Sequence, residues 1–207
     1  ITRIKNSKMK HIVISEKYQK WIMKYYSEQH LKPVFFTWII DGSDKKEVDK
    51  LLTNKSKKII TAKTEKKLLK KISESKLKLP DSKKTKKWLK ESLKCKKLIS
   101  VKLDLRNVES KISLNKLKVK DLEKIVDFIN LYEDYKLQLG KKSDKLKSRK
   151  GELIKVWEYF YDEIFFTSKK RSNKKKRKFK KLKINSKKLL KEFHSIVIDF
   201  EKSLSKK

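Results

Sequence analysis

The chain has 207 residues, enough for one domain or two small ones with a real core. With 37% hydrophobic and 10% aromatic residues it is too apolar to be a wholly disordered, solvated chain. Its 61 basic residues against 25 acidic give a formal charge of +36, which attracts polyanions and repels copies of itself, so a monomer is expected at low salt.

Residues 1–10 are expected to be a flexible N-terminal extension. "HIVI" (His11–Ile14) is a short apolar run and a candidate strand. Ser15 is placed to cap a helix in which Tyr18, Trp21, Ile22 and Tyr25 fall at i, i+3, i+4 and i+7 on one apolar face. Pro33 breaks that pattern. "VFFTWII" (Val34–Ile40), β-branched and aromatic and ended by Asp41-Gly42, is the clearest strand. A short helix near Asp44–Leu52, a strand at "KKIIT" (Lys57–Thr61) and a helix near Glu65–Ile72 follow. A further helix on Trp88, Leu89 and Leu93 comes after the second proline, and then a half-buried strand, "LISVKLDL" (Leu98–Leu105).

From residue 106 the period becomes helical. Leu122, Ile125, Val126, Ile129, Tyr132 and Leu139 form a stripe ended by Gly140. Leu153, Trp157, Phe160, Tyr161 and Ile164 form a second. Leu189, Leu190, Phe193, Val197, Phe200 and Leu204 form a third. The expected class is therefore α+β: a small mixed β-sheet with flanking helices over 11–105, and a helical half over 106–207 with a basic loop at 167–184, the two forming one compact unit.

That loop holds the densest charge. Eleven of the fifteen residues in "KKRSNKKKRKFKKLK" are cationic: Lys169, Lys170, Arg171, Lys174, Lys175, Lys176, Arg177, Lys178, Lys180, Lys181 and Lys183. They are candidates to track a phosphate backbone, with Phe179 stacking on a base. Yet residues 167–207 contain 17 basic and three acidic residues, and the rest of the chain 44 and 22, so the excess is general. It consists of 56 Lys and five Arg, point charges more than bidentate readers, which predicts affinity with little sequence specificity. Nucleotide bias fits the single Ala but not the seven Asn. Lysines also fall in expected first helical turns, Lys66-Lys67, Lys83-Lys84 and Lys187-Lys188 among them, where the helix dipole favours acids. A more neutral surface recharged with lysine, by adaptation or by design, accounts for this.

Acids that remain amid so much lysine stand out. Asp121, Glu123, Asp127, Glu133 and Asp134 gather on one expected helix, and Glu158, Asp162 and Glu163 on the next, with Glu158 and Asp162 at i,i+4. Without a histidine nearby they do not make a di-metal motif, so they are expected to form ion pairs with Lys124, Lys136, Lys155 or Arg149, or to meet a basic partner. His11, His30 and His194 are far apart in sequence and are expected at surfaces or boundaries. Tyr26, Tyr135 and Tyr159 are candidates for a partner surface. The lone Cys95 excludes an internal disulfide and a Cys-based zinc site. No nucleophile elbow, phosphate loop, dinucleotide fingerprint or zinc-protease motif occurs, so catalytic residues, metal and cofactor are all expected to be absent. No apolar run reaches transmembrane length, which sets the expectation of a soluble intracellular protein, cytoplasmic or in an organelle matrix. RNA or a ribonucleoprotein such as a ribosome is the expected partner. A protein-binding inhibitor or immunity-type scaffold, with incidental polyanion affinity, is the alternative.

Overall fold

In the computed structural model of the chain, residues 2–42, 48–75, 77, 79–140, 147–166 and 180–205 are described. The chain divides into two compact units, Ile1–Asp104 with Ser203–Lys207, and Leu105–Lys202.

The first unit is built on a four-stranded mixed sheet in the order β3-β2-β1-β4. Strand β1 (Lys20–Tyr26) pairs antiparallel with β2 (Val34–Asp41) and parallel with β4 (Ser100–Asp104), while β3 (Val48–Leu51) pairs antiparallel with β2. The register sets Trp21 opposite Trp38 and Ile22 opposite Thr37, and strand alternation puts these pairs on opposite faces. On the Ile22 face, Phe35 and Ile39 join Ile14 and Tyr18 of helix α1 (Thr2–Tyr18), Leu68, Leu69 and Ile72 of α2 (Glu65–Ser73), and Trp88 and Leu89 of α3 (Ser82–Leu93) in one core. The Trp21 and Trp38 rings lie 5.1 Å apart on the other face.

Several local expectations are corrected here. "HIVI" belongs to α1, which begins at Thr2, within the segment expected to be an extension. Burial recurs at His11, Ile14, Ser15 and Tyr18, the i, i+3, i+4, i+7 spacing of a helix, while Ile12 and Val13 stay exposed. The helix then stops at Tyr18. Gln19 takes φ +54 and turns the chain into β1, so Trp21, Ile22 and Tyr25 sit on a strand. Both sheet faces are apolar there, and an apolar residue on each face lets a strand imitate helical spacing. The helix expected near Asp44–Leu52 is replaced at its described end by β3. The expected strand at Lys57–Thr61 forms only isolated bridges, Ile59 to Thr53 and to Leu204, the latter with Ile59 N–H bonded to the Ser203 carbonyl at 2.8 Å.

The second unit is helical: α4 (Val108–Ser113), α5 (Val119–Gln138), α6 (Gly151–Tyr159) and α7 (Ser186–Glu201), with a short 3-10 turn at Lys147–Arg149. Helix α6 runs directly into a π-helical segment, Phe160–Phe165. Phe128 anchors the core, its ring 5.8 Å from Phe193 and 5.4 Å from Phe200, both edge to face. Tyr135, expected on a partner surface, is buried in the same cluster with its ring 6.2 Å from Phe200. Asn185 caps α7 by accepting the Lys188 N–H at 3.0 Å, so Ser186 is the first helical residue. The α+β class is as the sequence indicates, and no helix among the described residues is long and apolar enough to cross a membrane.

Candidate nucleic-acid interface

Lys169, Lys170, Arg171, Lys174, Lys175, Lys176, Arg177, Lys178 and Phe179 lie outside the described residues. The C-terminal end of the basic stretch is described, and Lys180, Lys181 and Lys183 are all exposed. The extended segment that carries them is tied to α6 at both ends. Tyr159 donates its hydroxyl to the Lys180 carbonyl at 2.7 Å, and the Asn185 N–H is accepted by Glu152 Oε2 at 3.0 Å. Residues 180–185 therefore run along the outside of α6 as a cationic rail. The Lys180 ammonium lies 3.1 Å from Glu163, but its side chain is 81% exposed, so that pair adds little stability.

A separate aromatic ladder occupies the Trp157 and Tyr161 face of α6, roughly opposite the Tyr159, Glu152 and Glu163 face that holds the rail. The Trp157 ring lies 4.4 Å from Tyr161, and Tyr161 lies 5.4 Å from Phe165 and 5.9 Å from Phe166. Phe165 and Phe166 are themselves 5.4 Å apart. Asn130 of α5 fixes the inner end: Trp157 Nε1 donates to its Oδ1 at 2.9 Å, and its Nδ2 donates to the Tyr161 hydroxyl at 3.1 Å. The outer end is open, with Phe166 52% exposed. The wider π turn brings both Phe165 and Phe166 onto Tyr161, an arrangement that a strict 3.6-residue repeat does not suggest. Sequence spacing marks Trp157 and Tyr161 as inward residues. They are half-buried, and Leu153, Val156 and Phe160 are the ones that fill the core.

The candidate acids divide by environment. Glu133 is buried and accepts Ser148 Oγ at 2.8 Å and Arg149 Nη2 at 2.8 Å, a structural pair. Asp121 is buried as well; burial alone would raise its carboxyl, but Lys111 at 2.6 Å and the Lys118 N–H hold it below the usual range. Of the lysines named beforehand, Lys124 acts on Asp121 as a nearby charge. Lys136 lies 2.7 Å from Asp199, and Lys155 lies 2.9 Å from Glu152, whose carboxyl it lowers. Asp134 is half-buried. Asp127 is exposed as a residue, yet its carboxyl is pushed up to about 6, first by desolvation and then by Glu123. Glu158 and Asp162 are exposed beside the ladder. Among the described residues no group of three or more histidines, cysteines and carboxylates is placed to hold a metal ion.

The histidines are corrected at one position. His194 is exposed and meets Glu109 at 3.1 Å, and His30 is half-buried, but His11 is fully buried. Its Nδ1 accepts the Ile99 N–H at 3.1 Å, which stitches α1 to the chain entering β4.

A four-stranded mixed sheet with flanking helices and a helical C-terminal unit defines an α+β protein. No protein-family model matches the chain, and no curated protein matches it. Among solved structures it is similar to the SatS C-terminal domain, determined in complex with bromine, with a TM-score of 0.62 and 10% identity over 93% of this chain and 96% of that one. At that identity the likeness is one of fold.

Proposed function

We propose that the chain is a non-enzymatic binding protein for RNA, or for a ribonucleoprotein such as a ribosome, held mainly by lysine–phosphate attraction with low sequence specificity. The observation that carries this reading is the exposed rail Lys180, Lys181 and Lys183, continuous in sequence with the stretch from Lys169. The formal charge of +36 supplies a long-range field that raises encounter rates. Five Arg among 61 basic residues leave few forks for reading base edges.

The test is fluorescence anisotropy of a labelled RNA oligonucleotide titrated at several salt concentrations. Affinity is expected to fall by orders of magnitude between about 50 and about 200 mM salt, because each neutralised phosphate releases counterions. Affinity that does not change with ionic strength overturns the reading. A second reading is favoured by one observation: lysines occur on α2, α3, α5 and α7 alike, and several retained acids serve internal pairs. On that reading the body is a recharged protein-binding scaffold, with polyanion affinity incidental to its role. It predicts that RNA affinity tracks net charge wherever lysines are neutralised, and does not depend on the α6 rail.

A further inference from the structure

We infer that the groove between α1 and α3 is a docking site for an acidic, amphipathic helical segment of a partner protein, a role that goes beyond RNA binding and does not depend on it. The groove has a volume of about 570 Å³ and is lined by Lys10, Val13, Ile14, Lys17, Glu91 and Lys94. Its surface is mainly apolar. Val13 is 56% exposed and its neighbour Ile12 40%, so α1 carries an apolar strip that water reaches. Covering such a strip is favourable, and a cleft between two helices suits the helix-in-groove mode of recognition.

The charges that line the groove fix the chemistry of its occupant. Three lysines stand there against one carboxylate, and that carboxylate is already engaged: Glu91 accepts the Tyr18 hydroxyl and lies 3.3 Å from the Lys17 ammonium. Lys10 and Lys94 are exposed and form no ion pair among the described residues. They offer two cations to acids that flank an apolar face. Lys10 and Lys17 bracket Val13 and Ile14 over about 10 Å of α1, a span that a helical occupant matches with apolar side chains at i and i+4 between carboxylates. A nucleic acid suits the groove poorly, because none of the lining residues has an aromatic ring on which a base could stack. A second copy of this chain is opposed by the formal charge of +36 that each would carry.

The experiment titrates the full chain into fluorescein-labelled peptides of about eighteen residues, long enough to form a helix. One carries leucines at i and i+4 flanked by glutamates, the second is its scramble, and the third has glutamine in place of every glutamate. The first is expected to bind about tenfold more tightly than either of the others, in keeping with one buried aliphatic side chain or its flanking ion pairs. Val13→Glu should lower that affinity about tenfold while changing affinity for labelled RNA less than about twofold, since it alters a single charge. Lys10→Gln/Lys94→Gln should weaken the acidic peptide and flatten its salt dependence. All three positions are exposed, so the fold should tolerate these changes, and far-UV circular dichroism checks it. The lysine pair keeps the groove testable if Val13→Glu unfolds the chain. A scramble that binds as tightly as the ordered peptide leaves only general charge, and a glutamine peptide that does so removes the acids from recognition. A dimer seen in sedimentation that Val13→Glu dissociates assigns the groove to a second copy. Each of these outcomes, like absence of peptide binding, overturns the proposal and leaves the RNA-binding reading to its own salt titration.

Discussion

Glu192 on α7 accepts the backbone N–H groups of Glu152 at 2.7 Å and Leu153 at 3.2 Å, so a carboxylate from one helix caps the N-terminus of another. The first residue of α6, Gly151, lies at φ +62, and a Cβ there would meet Glu192 Oε1 at 2.0 Å. Gly151 is thus required twice, for its left-handed backbone and for the room it leaves.

Gly151→Ala should destabilise the C-terminal unit by about 2–3 kcal/mol, combining left-handed strain with loss of the cap. Glu192→Ala should cost about 1 kcal/mol, since water can reach part of the freed helix end. The double variant should lose less than the sum, because both changes break one contact. Urea unfolding midpoints at unchanged slope measure all three. Strict additivity would show that the glycine is needed for its backbone alone.

Ser148 is fully buried, and its hydroxyl donates to Glu133 Oε1, whose other oxygen binds the half-exposed Arg149. Glu133→Ala should cost about 2 kcal/mol, chiefly by leaving the Ser148 hydroxyl without a partner, since the guanidinium can rehydrate. Adding Ser148→Ala should recover about 1 kcal/mol of that loss. A further loss on adding it would instead place the cost in cavity formation.

Which parts of this were legible in sequence follows from how each period is sampled. Strand β2 shows itself because seven consecutive residues are β-branched or aromatic and Asp41-Gly42 ends them. Helices α2, α5 and α7 show themselves because their polar faces are filled with charged residues, lysine in α2 and both signs in α5 and α7, which sharpens the 3.6 repeat. The break at Gln19 is hidden, since no glycine or proline marks its positive φ. The candidate interface was half visible. Lysine density marks the rail, but its anchoring by the return of Lys180 to Tyr159, twenty-one residues away, and the π segment that builds the ladder leave no local pattern.

Lys20 is fully buried on β1, and its Nζ lies 3.5 Å from Asp81 Oδ2 without a hydrogen bond at either atom. Asp81 takes a left-handed backbone before α3 and makes no side-chain cap, so it faces the lysine in place of serving the helix. Burial depresses the amine, partly offset by Asp81. Lys20→Met keeps the volume and removes the desolvated charge, and at neutral pH it should be neutral or stabilising by about 1 kcal/mol. Its advantage should shrink as pH rises through the lowered folded value and past 10.5, the ordinary lysine value, above which the wild-type amine is deprotonated in the folded and the unfolded chain alike. A loss of more than about 2 kcal/mol in chemical denaturation would show the ion pair to be net favourable.

His11 and Asp127 give the fold opposing acid responses within one pH range. The Ile99 N–H donates to His11 Nδ1, so the proton sits on Nε2, which is buried without a hydrogen-bond partner. Burial lowers this imidazole from its ordinary 6.5, with Glu65 pulling weakly the other way. Below about 6.5 the unfolded chain takes a proton that the folded one refuses, so this contribution is complete above that pH and is lost as pH falls. Asp127 works in reverse. Its carboxyl takes a proton near 6 when folded but only near 3.8 when unfolded, so stability is gained as pH falls between those values, by a small amount because the residue is exposed. Unfolding free energies at pH 7.5 and 5 should therefore separate the two. His11→Gln should lower stability at both pH values through the lost Ile99 contact while flattening the acid decline. Asp127→Asn should steepen that decline slightly. An unchanged pH slope in His11→Gln would mean that the imidazole titrates alike in the folded and the unfolded chain, and that neither burial nor the Ile99 bond holds it neutral.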